Sequence, residues 1–217
     1  MIRRCSLAGL AAVGLVGCGG SSPSQPTFTS AEAGAPPQFA GTLVRAWPGT
    51  GTPAGAWRVS CTGWAGFPNI VCPKRGFVRA TTVISGYIEW VRLPKDTSVH
   101  WVGIATDGGV GGGVGDDQRR VRYVFQTTID LGPHPSTDAL IGVEWAADNF
   151  FDGWRINGSP LQGGSPDNRR FLDLHQFTIS ASNATLKPGR NVLELQVTGD
   201  GVTDGLVVRT LELRKNP

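Results

Sequence analysis

The sequence predicts an all-β protein built as a β-sandwich, and three observations carry the prediction. Apolar side chains recur at every second position in several stretches, as they do on a pleated strand with one face in a core. The 3.6-residue periodicity of an amphipathic helix is hard to find beyond the N-terminal segment. Glycine (31 of 217 residues) and proline (15) punctuate the chain without a G-x-y period, which fits a loop-rich β protein and excludes a collagen-like repeat.

The alternating segments follow in order. Ala56 to Ser60 and Phe77 to Leu93 read as strands, and Cys61 to Cys72 reads as a long loop between them. Val121, Tyr123, Phe125, Thr127, Ile129 and Leu131 fall on one side of a strand. Arg122, Gln126, Thr128 and Asp130 fall on the other, with Val124 the apolar exception. Ile141, Val143 and Trp145 alternate with Gly142 and Glu144, and Leu193, Leu195 and Val197 alternate with Glu194, Gln196 and Thr198. Trp154-Arg155-Ile156 runs into Asn157-Gly158, a hairpin signal because both turn positions need positive φ. Lys187-Pro188-Gly189 is a second turn, with Pro setting φ and Gly taking the strained position. Short strands separated by such turns indicate a sandwich or jelly roll, and seven Trp supply material for a sizeable core.

Ahead of this region stands an export signal. Arg3 and Arg4 precede an uncharged apolar run from Leu7 to Val16, too short to cross a bilayer. Leu15-Val16-Gly17-Cys18 resembles the bacterial lipobox, which implies cleavage before Cys18 and attachment of lipid to it; the alternative is an ordinary signal with an incidental cysteine. Acyl chains contribute about 0.8 kcal/mol per buried CH2, enough together for stable anchoring. Gly19, rather than Asp, follows the cysteine, which in such families implies outer-membrane sorting in a Gram-negative host. The expected organisation is a signal over residues 1–17, a lipidated Cys18 and a Ser/Pro/Gly-rich tether over 18–38, and a sandwich over 39–217. The expected location is the bacterial cell envelope, with the membrane contacted through the lipid.

Loss of Arg3 and Arg4 lowers the net charge of +3 by two, to +1. That near-neutral balance, with Arg119-Arg120-x-Arg122 as the densest basic run, argues against nucleic acid as a partner. Cys5 and Cys18 belong to the signal, so Cys61 and Cys72 are expected to pair in an oxidising compartment. A metal site there would need two further ligands, and no His lies nearby.

From Trp101 a further pattern emerges. Trp101-Val102-Gly103 and a Gly-rich loop precede the strand Arg122 to Leu131, then Trp145-Ala146-Ala147-Asp148-Asn149 and Ile156-Asn157-Gly158. Phe177-Thr178-Ile179, the turn Leu186 to Leu193 and Gly205-Leu206-Val207-Val208 complete it. The order resembles a galactose-binding-like jelly-roll module of exported bacterial proteins over about Trp101 to Leu213. Residues 39 to 100 match less well, and the Cys61 to Cys72 insertion departs from the pattern. The resemblance implies a fold used for glycan binding or protein contacts, sometimes with structural calcium; it does not by itself assign an activity.

Candidate sites can be named against simpler readings. Asp148, Asn149 and Asp152 place three oxygen-bearing side chains within five residues, a fragment of a calcium site or a set of turn caps. Trp101 and Trp154 are sugar-stacking candidates, as is Trp145, although the register of Trp145 and Trp154 also places them in a core. Trp64 and Phe67, in the disulfide loop, are the better candidates for exposed aromatics. The run Gly108 to Gly115 lacks the ending of a phosphate loop and reads as a connection. No recognised catalytic motif contains His100, His134 or His175; Asp173 and His175 would share one side of a strand. Glu89, Glu144 and Glu194 fall on strands as ordinary outward side chains.

The expectation is a non-enzymatic surface module that binds carbohydrate or another extracellular polymer. A structural envelope lipoprotein with a protein partner is the second reading, and a hydrolase with a site formed by loops from distant segments, to be tested at Glu144 or His175, the third.

Overall fold

The computed structural model describes residues 30–31, 39–47, 49–50, 57–62, 72, 76–83, 90–91, 93, 99–104, 121–133, 137–165, 170–199 and 204–215. Among them are twelve strands and no helix. The strands are β1 (Ser30–Ala31), β2 (Thr42–Trp47), β3 (Arg58–Thr62), β4 (Val78–Arg79), β5 (Thr81–Thr82) and β6 (Val102–Gly103). They continue as β7 (Val121–Asp130), β8 (Ala139–Asp148), β9 (Phe150–Ile156), β10 (Leu174–Ile179), β11 (Arg190–Gly199) and β12 (Gly205–Lys215). A seven-stranded sheet, sheet A, runs β1-β10-β8-β12-β6-β5, with β2 also paired to β12. A five-stranded sheet, sheet B, runs β4-β3-β7-β11-β9. All pairings are antiparallel, and the two sheets form a β-sandwich.

Period-two patterning builds the core. On β7 Val121, Tyr123, Phe125 and Ile129 are buried while Arg122 and Asp130 are exposed, so one face of the strand meets sheet A. Aromatic rings join the two sheets. Trp145 of β8 stacks on Phe151 of β9 at 3.7 Å between centroids, and Phe177 of β10 lies nearly parallel to Trp154 of β9 at 5.4 Å. Rings from alternate sheets thus interleave, a close packing that adds to plain area burial.

Turn chemistry closes one end. Asn157 and Gly158 take φ of 52° and 74°, as a tight turn with two left-handed residues requires. The returning arm is not the strand of a regular hairpin. It bonds β9 at separate points: Gln162 exchanges two backbone hydrogen bonds of 2.8 Å with Trp154, and Ser165 N donates to Phe151 O at 2.8 Å, while Pro160, Gly163 and Gly164 interrupt a continuous ladder. Asn191 explains the turn before β11: its side chain accepts from Lys187 N and donates to the carbonyls of Lys187 and Gly189, fully buried.

Two expectations need correction. Phe77 to Leu93 is not one strand. Its described part holds two-residue β4 in sheet B and two-residue β5 in sheet A, so the chain passes between sheets at Ala80, whose N–H donates to Trp57 O. The tether expected over residues 18–38 also contributes to the sheet, because β1 pairs with β10. The chain therefore reaches both edges of the β10-β8-β12 segment, as β1 on one side and β2 on the other. Between them Phe39 rests on Gly142, where a Cβ would come within 2.6 Å of its ring.

The outer face of sheet A carries a second apolar cluster. Trp90, Val91 and Trp101 pack with Ala146, Leu174 and Val207, the outward residues of β8, β10 and β12. Thr50 ties this layer down: its Oγ donates to His100 O and accepts from Val208 N, beside the register shift of β12.

Candidate functional site

The outer face of sheet B has no such layer among the described residues. Its side chains are set by register. Arg79, Arg58, Gln126, Glu194 and Arg155 are successive partners across β4, β3, β7, β11 and β9. One polar row therefore crosses all five strands. Neighbouring strands lie about 4.8 Å apart, so the row is a platform roughly 19 Å wide. Gln126 Nε2 donates to Glu194 Oε1 at 2.9 Å, and Arg155 Nε donates to Glu194 Oε2.

Toward the β9 N-terminus a second cluster stands on the same face. Asp152 Oδ2 accepts from Gln196 Nε2 at 2.9 Å and from Thr198 Oγ at 2.7 Å. Arg122, whose side chain is 61% exposed, keeps its Nε 3.8 Å from the same oxygen, beyond hydrogen-bond reach. Phe77 and Phe150, both half-buried, flank the platform at its two edges; the Arg58 guanidinium lies 6.0 Å from the Phe77 ring centroid and donates to Phe77 O. Amides, hydroxyls and guanidiniums held in a plane by mutual hydrogen bonds can exchange hydrogen bonds with a ligand rich in hydroxyls, and the flanking rings can pack on apolar faces.

The residues predicted as sites fall elsewhere. Trp101 is 8% exposed and packs against Trp90 with ring centroids 4.1 Å apart; Trp154 is 3% exposed beneath Phe177. Neither indole offers a face to a sugar: Trp154 fills the core between the sheets, and Trp101 is packed into the layer over sheet A. Trp145 is likewise buried. Trp64, Phe67, Cys18, Glu89, His134 and Gly108 to Gly115 lie outside the described residues.

The three residues named for calcium are not brought to one place. Asp148 points to the outer face of sheet A, where its Oδ2 accepts from Trp90 Nε1 at 2.7 Å. Asp152 is on the outer face of sheet B with the partners given above, and Asn149 lies at the crossover between the sheets. The sandwich itself separates the two carboxylates, and no group of three His, Cys, Asp or Glu side chains among the described residues is placed to hold a metal ion.

Glu144 and His175 are separated in the same way. Glu144, fully buried on the outer face of β8, accepts from Arg209, from Thr210 Oγ at 3.1 Å and from Gln176 Nε2 at 3.3 Å. It is not the ordinary solvated Glu that alternation predicts. His175 faces inward beside Trp145, with Arg170 Nη1 3.3 Å from its Nδ1, while Asp173 is exposed. Neighbouring positions in the β8–β10 ladder point to opposite faces, so these two groups cannot act on one substrate. Cys61 and Cys72 form a disulfide, with Cys61 opposite Tyr123 at the loop end of β3.

The platform residues Arg58, Gln126, Arg155 and Gln196 were missed as a site because each is an ordinary outward position by itself. The available signal was the polar half of each alternation. A scan against protein-family models finds none that matches the chain, and a search of curated proteins finds no match.

Proposed function

We propose that this chain is a lipid-anchored surface module that binds carbohydrate on the outer face of sheet B. The observation that carries the reading is the five-strand polar row from Arg79 to Arg155, open on the one sheet face that no second layer covers among the described residues. The lipobox at Cys18 supports display at a bacterial envelope, and the motif order from Trp101 to Leu213 supports assigning the sandwich to the galactose-binding-like jelly rolls. Separation of Glu144 from His175 favours binding over hydrolysis by that pair.

The test uses detergent-solubilised full-length protein on a panel of immobilised polysaccharides. Binding to at least one polymer is expected, with loss in the Gln126→Ala/Gln196→Ala double variant at unchanged melting temperature. Failure to bind across the panel overturns the reading. Labelling cells with an alkyne-tagged fatty acid tests the anchor: the chain should label, and Cys18→Ser should not.

One observation favours a protein partner instead. Strand β2 presents Leu43 and Val44 at 52% and 42% exposure on a strand paired only to β12 among the described residues. An edge of this kind suits strand addition by another chain. Cross-linking in cells should then recover one reproducible protein through β2, and Leu43→Lys should abolish it.

A further inference from the structure

We infer that the polysaccharide is acidic, a carboxylate-bearing polymer recognised by the guanidiniums of sheet B; this rests on the carbohydrate reading above. The charges on the platform are unequal. Arg58, Arg79, Arg122, Arg155 and Arg190 occupy outward positions, against Asp130, Asp152 and Glu194. Two of the carboxylates are already engaged by neutral donors. Both oxygens of Glu194 accept, from Gln126 and Arg155, and Asp152 Oδ2 already accepts from Gln196 and Thr198.

The guanidiniums retain donors. Each carries five N–H groups in a planar fork. Arg122 is mostly exposed and forms a loose ion pair with Asp152 at 3.8 Å, without a hydrogen bond between Nε and Oδ2. Arg58 is exposed and donates to a backbone carbonyl. What the face offers outward is therefore a surplus of charged donors among hydroxyls and amides. Uronic acids complement that pattern: a carboxylate takes a bidentate fork, and ring hydroxyls take the neutral groups.

Two features favour a polymer with repeating charge. Arg58 and Arg79 are directly opposite across β3 and β4, so two guanidiniums stand side by side at that edge of the sheet. Arg58 and Arg122 are set by register four positions apart along β7, about 13 Å, further than one small anion reaches. A nucleic acid would be expected to meet a denser basic patch than five cations interspersed with three carboxylates.

The experiment measures binding of detergent-solubilised full-length protein to polygalacturonate, carboxyl-reduced polygalacturonate, neutral galactan and oligo-dT. Polygalacturonate should bind, and carboxyl reduction should weaken it about tenfold or more, the scale of losing one charged hydrogen-bond pair. Arg58→Gln and Arg122→Gln should each weaken it by a similar factor at unchanged melting temperature, whereas Lys187→Gln, which removes a charge from the 187–189 turn, should not. If galactan binds as well as polygalacturonate and Arg58→Gln has no effect, the acidic assignment is overturned and the carbohydrate reading stands. Equal binding of oligo-dT overturns it in favour of general polyanion attraction. No binding to any of the polysaccharides overturns both readings.

Discussion

Strands β7 and β8 are each ten residues long and central to their sheets, yet their outward halves have opposite fates. On β7 the outward residues are Arg122, Val124, Gln126, Thr128 and Asp130, each exposed or half-buried. On β8 they include Gly142, Glu144, Ala146 and Asp148, all buried. Phe39 covers Gly142, and Trp90 and Trp101 belong to the layer over Ala146. Alternation identifies the face that meets the other sheet, and the size of the outward residues reports what happens on the far side. Glycine and alanine at outward positions leave room for returning chain; Arg, Gln and Thr hold a face in water.

This contrast can be broken by mutation, and the largest expected effect is on the covered face. Glu144→Ala leaves the Arg209 guanidinium buried without its carboxylate and should cost about 3–5 kcal/mol in urea denaturation, as breaking a buried ion pair does. On sheet B, which has no outer layer among the described residues, the Cys61–Cys72 disulfide packs against the core at the end of β3. Replacing both cysteines with serine should cost about 3 kcal/mol, read from the guanidinium midpoint under non-reducing conditions.

Smaller effects sharpen the distinction. Trp90→Phe removes the indole N–H from Asp148 while keeping an aromatic ring in the layer, and should lower stability by about 1–3 kcal/mol by calorimetry. Glu194→Ala takes a carboxylate from the open face, where Arg155 remains over a third exposed, and should cost about 1 kcal/mol or less. A Glu194→Ala variant as unstable as Glu144→Ala would show that sheet B is also covered and would remove the platform.

Much of the fold was legible because its causes are local. The alternation of β7, β8 and β11, the positive-φ turn at Asn157-Gly158 and the pairing of Cys61 with Cys72 all follow from residues close in sequence. Reading Phe77 to Leu93 as one strand failed because nothing local marks Ala80 as the point where the chain changes sheets. The candidate site was legible only in halves. Gln126 and Glu194 were visible as outward polar residues, but their meeting at 2.9 Å depends on two strands more than sixty residues apart falling into one register. Trp101 and Trp154 were drawn to the surface by their chemistry as sugar platforms, whereas packing places them in the interior.

By itself the amino-acid sequence determined the strand period, the inward faces and the tight turns, because steric limits on φ and a two-residue side-chain repeat act within a few residues. Only the tertiary structure decided that sheet A is roofed and that sheet B presents a polar row. The roof is made by Val83, Trp90, Val91, Leu93, Val99 and Trp101, with Phe39 and Phe171, packing onto β8, β10 and β12. The row exists because β3, β7, β11 and β9 pair in one register. Both outcomes depend on which distant segments hide apolar surface together, and no local rule encodes that choice.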